Sequence, residues 1–187
     1  GGNGELAGTL RILLILTAIS LAPILLVTIT SFTRILIVLH FTRQALNTTS
    51  APPNQVLIAI SLFLTFFIMQ PTFSQIYTDA IVPFENGVIQ MEEAVDLALD
   101  PMREFMAGQT QVKDADAFMQ IAEIPWDGTD WKEVPTSVLI PSFIISELRS
   151  AFIMGFIIYI PFIVIDIVVA SVLMSMCMMM LPPTTIS

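Results

Sequence analysis

Ionisable side chains break into the apolar stretches of this sequence at only five places: Arg34, His40, Glu147, Arg149 and Asp166. A charge in an apolar setting is costly, so each of these has to face a protein interior, a pore or a partner. Two chemistries are open to them. Arg34 can pair with Glu147 or Asp166 as a bridge between helices, or the two carboxylates can act in a proton relay. Relays normally draw on more than two carboxylates, which favours the bridge. His40 stands three residues from Arg43 at the end of an apolar run. That position suits a membrane interface better than catalysis.

Sulfur supplies the other candidate chemistry. In "SVLMSMCMMMLPP", residues 171–183, five of the eleven methionines (Met174, Met176, Met178, Met179 and Met180) surround the only cysteine, Cys177. At about 100° per residue they scatter round a helix instead of lining one stripe. Three readings stand beside one another. Methionine fills irregular gaps in a core, and composition alone favours this. Thioethers with a thiol can hold Cu(I). Unbranched side chains can also form a deformable apolar seal around an opening. Catalytic motifs are missing: there is no paired intramembrane carboxylate set, no His-Glu metal helix, no Gly-framed serine and no glycine-rich phosphate cradle. No cofactor and no metal are expected, and the sequence argues for a protein without enzymatic chemistry.

The elements that must carry these residues follow from composition. The 187 residues are 55% hydrophobic and 12% charged, with mean hydropathy +0.83, whereas soluble domains are nearer a quarter charged. Of 16 acidic residues, 13 fall between Asp79 and Glu133, so the net charge of -9 belongs to one central segment. Without a Lys/Arg cluster there is no electrostatic footprint for nucleic acid. One cysteine excludes an internal disulfide.

Four uncharged runs stand out: 12–33, 44–78, 150–165 and 167–187. The first two are long enough to cross a bilayer, and the last two read as one long helix kinked at Pro161. Pro52 and Pro53 mark a hairpin tip, with Ser50 or Asn54 as caps for the returning helix. Pro182 and Pro183 repeat that content with nothing returning, from which a further helix beyond this chain is expected. The opening "GGNGELAGTLR" lacks a signal-peptide pattern and suits a mature N-terminus. In the acidic segment, Met91, Val95, Ala98 and Leu99 are expected on one face of an amphipathic helix with Glu92, Glu93 and Asp96 opposite, a second helix starting at Asp100-Pro101 and a third capped by Asp114. The expected organisation is all-α: a tail over 1–11, an apolar helical hairpin over 12–78, an acidic helical segment over 79–136, and a long kinked apolar helix over 137–187. Arg34 and Arg43 beside the short Pro-Pro loop place that loop in the cytoplasm and the acidic segment on the opposite, periplasmic side.

Three blocks in order, "TSFTRILIVLHFTRQALNTTSAPPNQVLIAISLFLTFFIMQP" (30–71), "PMREFM" (101–106) and "ISELRSAFIMGFIIYIPFIVIDIVVASVLMSMCMMMLPP" (145–183), closely resemble the FliP family of flagellar type III protein-export proteins. The resemblance implies a subunit of a protein-conducting export gate in the bacterial inner membrane, at the flagellar basal body. It implies five copies assembling with FliQ and FliR and meeting further export-apparatus membrane proteins, with unfolded flagellar subunits as passengers. It further implies tilted helices that rise above the membrane plane, a cleaved signal peptide and a helix after the Met-Pro-Pro segment. By the same resemblance, Met178, Met179 and Met180 form a gasket round the channel, and Phe105, Phe118 and Glu147 serve self-association. The resemblance makes the seal the leading reading of the methionines. Arg34 or Arg149 of a neighbouring subunit is then available to Glu147.

Overall fold

The computed structural model describes residues 2–180. The described residues are helical throughout, with turns between helices and no strand. The first helix, α1 (Gly2–Thr28), opens well ahead of Ile12, and its first residues are helical where a tail was expected. It stops short of the end of the uncharged run because Thr30 takes over the backbone. The Thr30 hydroxyl donates to the Val27 carbonyl at 2.6 Å and accepts from the Phe32 N–H at 3.3 Å. One side chain thus closes α1 and opens α2 (Phe32–Ala45).

After the Pro-Pro tip, α3 (Asn54–Ile76) returns, passes through a π-helical turn (Tyr77–Ile81) and ends in the short α4 (Val82–Glu85). Neither Ser50 nor Asn54 caps α3; its N-cap position is Pro53, and the Asn54 side chain instead accepts a hydrogen bond from Arg43 at 2.6 Å. Only Leu57, Ser61, Thr65 and Met69 of α3 are buried, one residue per turn. Between Leu57 and Met69 the rest of its circumference, including Phe63, Phe66 and Phe67, is uncovered.

The acidic segment holds α5 (Met91–Gln109) and α6 (Val112–Ile121). The expected break at Asp100-Pro101 does not occur. Pro101 lies inside α5 and is buried, so the ring's burial offsets part of the about 3 kcal/mol that an interior proline costs a helix. The apolar row is not the face most deeply buried. Ala94, Pro101, Met102 and Met106 are buried while Met91, Val95 and Leu99 are exposed.

The last element, α7 (Thr136–Met180), runs 45 residues without a break through Pro141 and Pro161. At 1.5 Å per residue it is roughly 68 Å long, about twice the thickness of a hydrocarbon core. Its first turns complete the core, where Met106, Met119, Val134, Val138, Leu139 and Phe143 pack together. Among the described residues, three stretches, α1, α3 through α4, and α7, are long and apolar enough to cross a membrane. Pro182 and Pro183 lie outside the described residues.

Candidate functional site

Helix α2 lies along α7, and three contacts fix its direction. Arg34 meets Glu147, Phe41 meets Phe152, and Asn47 meets Asp166. Residue numbers rise together on both helices, so the two run parallel. Between the polar contacts α2 comes very close to α7: a Cβ added at Gly155 would stand 2.6 Å from Cγ of Phe41. The Phe41 and Phe152 rings sit edge to face with centroids 5.9 Å apart. Glycine at 155 is therefore what admits the aromatic ring, since small residues set how closely apolar helices approach.

The polar contacts divide the ionisable residues into separate groups. Arg34 engages Glu147 with a fork of two bonds, Nε to Oε2 at 3.0 Å and Nη2 to Oε1. Glu147 is 2% exposed, so this guanidinium supplies what the carboxylate lost on leaving water. Asp166 takes no part in that pair. It accepts from the Asn47 side-chain amide at 3.1 and 3.3 Å. Asn47 closes α2 in the left-handed region, at φ 57°, a conformation that asparagine tolerates better than most residues.

One turn of α7 also reaches the acidic segment. Asp114 is not a cap: the N-cap of α6 is Gln111, and Asp114 is buried in the first turn, 2.6 Å from Arg149. Ser146 donates to Asp114 at 2.7 Å and accepts the Gln111 N–H at 3.0 Å. At the hairpin tip, Arg43 donates to the Pro52 carbonyl at 3.3 Å and to Asn54, and lies 3.0 Å from Nδ1 of His40. His40 is thus part of the tip that Pro52 and Pro53 form. On α5, Arg103 donates to Thr136 at 2.6 Å and to the carbonyls of Trp131 and Val134, tying α5 to the start of α7.

The two phenylalanines are half-buried within the chain itself. Phe105 stands edge to face on Phe143 at 5.9 Å, and both Phe105 and Phe118 pack against the core. The methionines are the opposite case. Met178, Met179 and Met180 are 76%, 88% and 82% exposed, and every residue of α7 from Val164 to Met180 is uncovered. Cys177 is exposed as well, and among the described residues no group of three or more His, Cys, Asp and Glu is placed to hold a metal.

Sequence reasoning missed Asp114 as the partner of Arg149, Asn47 as the partner of Asp166, and the notch at Gly155. The glycine carried a readable signal, since it is isolated within a long apolar helix where it costs about 1 kcal/mol against alanine and so needs a packing reason.

Long apolar helices left largely bare, clipped by buried polar contacts to a small acidic helical cap, define an all-α membrane-associated protein. The chain belongs to the FliP family, which it matches over residues 15–187. It is 51% identical over 183 residues to "Flagellar biosynthetic protein FliP" of Bacillus subtilis (strain 168), covering 98% of this chain and 82% of that protein. Proteins of the same name from Pectobacterium carotovorum subsp. carotovorum and Aquifex aeolicus (strain VF5) are 49% and 46% identical. The first comparison covers 99% of this chain and 72% of that relative, the second 100% and 78%.

Proposed function

We propose that this chain is a pore-forming subunit of the flagellar type III protein-export gate, conducting unfolded flagellar subunits across the bacterial inner membrane at the basal body. It acts as channel wall and performs no catalysis. Five copies, with FliQ and FliR and other export-apparatus membrane proteins around them, enclose the path. The acidic segment faces the periplasm, and the tip at Pro52–Pro53 turns α2 back into α3.

The observation that carries this reading is the bare end of α7. A helix that exposes every residue from Val164 to Met180 needs an apolar surround, which lipid or other subunits must supply. Met178, Met179 and Met180 stand at its extremity and are the gasket. Methionine has three freely turning bonds, so a ring of such side chains excludes water and ions when collapsed and bends aside for a passenger. Self-association at Phe105 and Phe118 involves rings half-committed to the chain's own core, so their outer edges are the parts left to meet a neighbour.

The test is replacement of all three methionines by alanine, with ion leak, flagellar export and complex assembly measured in the same cells. Raised leak through an assembled complex supports the seal. An ion-tight, export-competent variant returns these side chains to simple filler and removes the pore-lining assignment.

A further inference from the structure

Glu147 is the residue whose chemistry the proposed function leaves least explained. A buried carboxylate can serve assembly in two ways, by reaching a cation on a neighbouring copy or by shaping its own subunit so that the neighbour fits. These make different demands on its surroundings. Reaching a neighbour requires a carboxylate with an oxygen to spare and a path to the surface.

Glu147 has neither. Its side chain is 2% exposed, and Arg34 of the same chain occupies both oxygens with a two-bond fork, the strongest arrangement that a guanidinium and a carboxylate can make. The other cation considered for it is committed too. Arg149 lies 2.6 Å from Asp114, which is 5% exposed and also accepts from Ser146. The polar groups of this one turn of α7 therefore face two different elements of the same chain. Glu147 holds α2 from one side, while Ser146 and Arg149 hold α6 from the other.

We infer that Glu147 is a positioning residue inside its own protomer: with Arg34 it clasps α2 onto α7 at the turn that also docks the acidic cap, and a neighbouring copy receives the surface so formed rather than the charge. The inference rests on the reading of this chain as a self-associating gate subunit. From the clasp, α2 runs along α7 past Phe41 and Gly155 to Asn47 and Asp166, so the clasp sets the line from which the bare end of α7 projects.

Cysteine chemistry separates the two cases. Arg34→Cys and Glu147→Cys are combined in one chain carrying Cys177→Ser, and membranes are treated with a short bismaleimide. The expected product is crosslinked within one chain, so that proteolytic cleavage in the loop before α7 leaves the two fragments joined and no covalent dimer forms. A covalent dimer, or no crosslink between these positions, overturns the inference.

Charge reversal gives a second measurement. Arg34→Glu and Glu147→Arg are each expected to lower oligomer yield by at least about tenfold, because each leaves like charges facing one another in a buried site. Both changes in one chain are expected to restore it. Recovery on mixing the two single variants would mean that the pair forms between chains, which also overturns the inference. Failure of the unaltered chain to form oligomers would instead defeat the gate-subunit reading, and the crosslink within one chain would still report the clasp.

Discussion

Gly155→Ala isolates the close approach of α2 to α7. Alanine is worth about 1 kcal/mol more than glycine in a helix interior, so without a steric clash the change would stabilise α7. The structure reverses that sign. The new methyl would stand 2.6 Å from Cγ and 3.0 Å from Cβ of Phe41, against about 3.5–4.0 Å for carbons in comfortable contact. The atoms met are the root of the ring, so no flexible end can swing away. Either α2 backs off by roughly 1 Å or the ring leaves its edge-to-face position on Phe152. Overpacking of this kind costs about 1–3 kcal/mol.

The net expectation is a loss of about 1 kcal/mol, or roughly 2–4 °C in Tm for a chain of this size, read by thermal circular dichroism in detergent. Phe41→Ala should be less damaging in the Gly155→Ala chain than alone, because the clash it relieves is absent from the parent. Gly108→Ala is the control, since nothing lies within 4 Å of a Cβ there, and it should be neutral or stabilising. A Gly155→Ala chain as stable as the parent, with additive effects from Phe41→Ala, would refute the close-approach argument.

Two further outcomes follow from the packing. Arg103→Ala removes the bonds from α5 to Thr136, Trp131 and Val134, with an expected loss of about 2–3 kcal/mol. Its readout is the emission of the chain's two tryptophans, Trp126 and Trp131, whose rings stand edge to face with centroids 5.2 Å apart; an unchanged spectrum and unchanged stability would count against the anchor. Ser61 is fully buried in the narrow stripe of α3. Ser61→Leu should cost about 1–3 kcal/mol by overpacking while Ser61→Ala stays within about 0.5 kcal/mol, and thermal unfolding of the two variants would expose the reverse order if the stripe did not hold.

The helical character and the Pro-Pro tip were legible because hydropathy and proline act locally. Arg34 and Glu147 could be set beside each other from sequence for a similar reason: few charges enter the apolar runs, so the choice of partners was short. Local signals failed where a distant element decided the outcome. Asp114 has the spacing of a helix cap, yet Arg149 and Ser146 of α7 claim its carboxylate. Pro101 follows an aspartate as an initiating proline would, yet burial carries α5 straight through it. Met91, Val95 and Leu99 form an apolar row, but periodicity tells only that a face is apolar, and the fold decides which apolar face is covered. The parallel course of α2 along α7 joins residues more than a hundred positions apart, and no window of sequence contains both.

The single buried line along α3 bears on how this chain tolerates change. A helix that engages the rest of its own chain through Leu57, Ser61, Thr65 and Met69 has most of its sides unconstrained by that chain. At the exposed positions between Leu57 and Met69 the internal requirement is oiliness alone, and Phe, Leu, Ile or Val serve equally well. Substitutions can therefore accumulate around α3 without disturbing the subunit, so that the same scaffold can be refitted to different surroundings while four positions keep its shape.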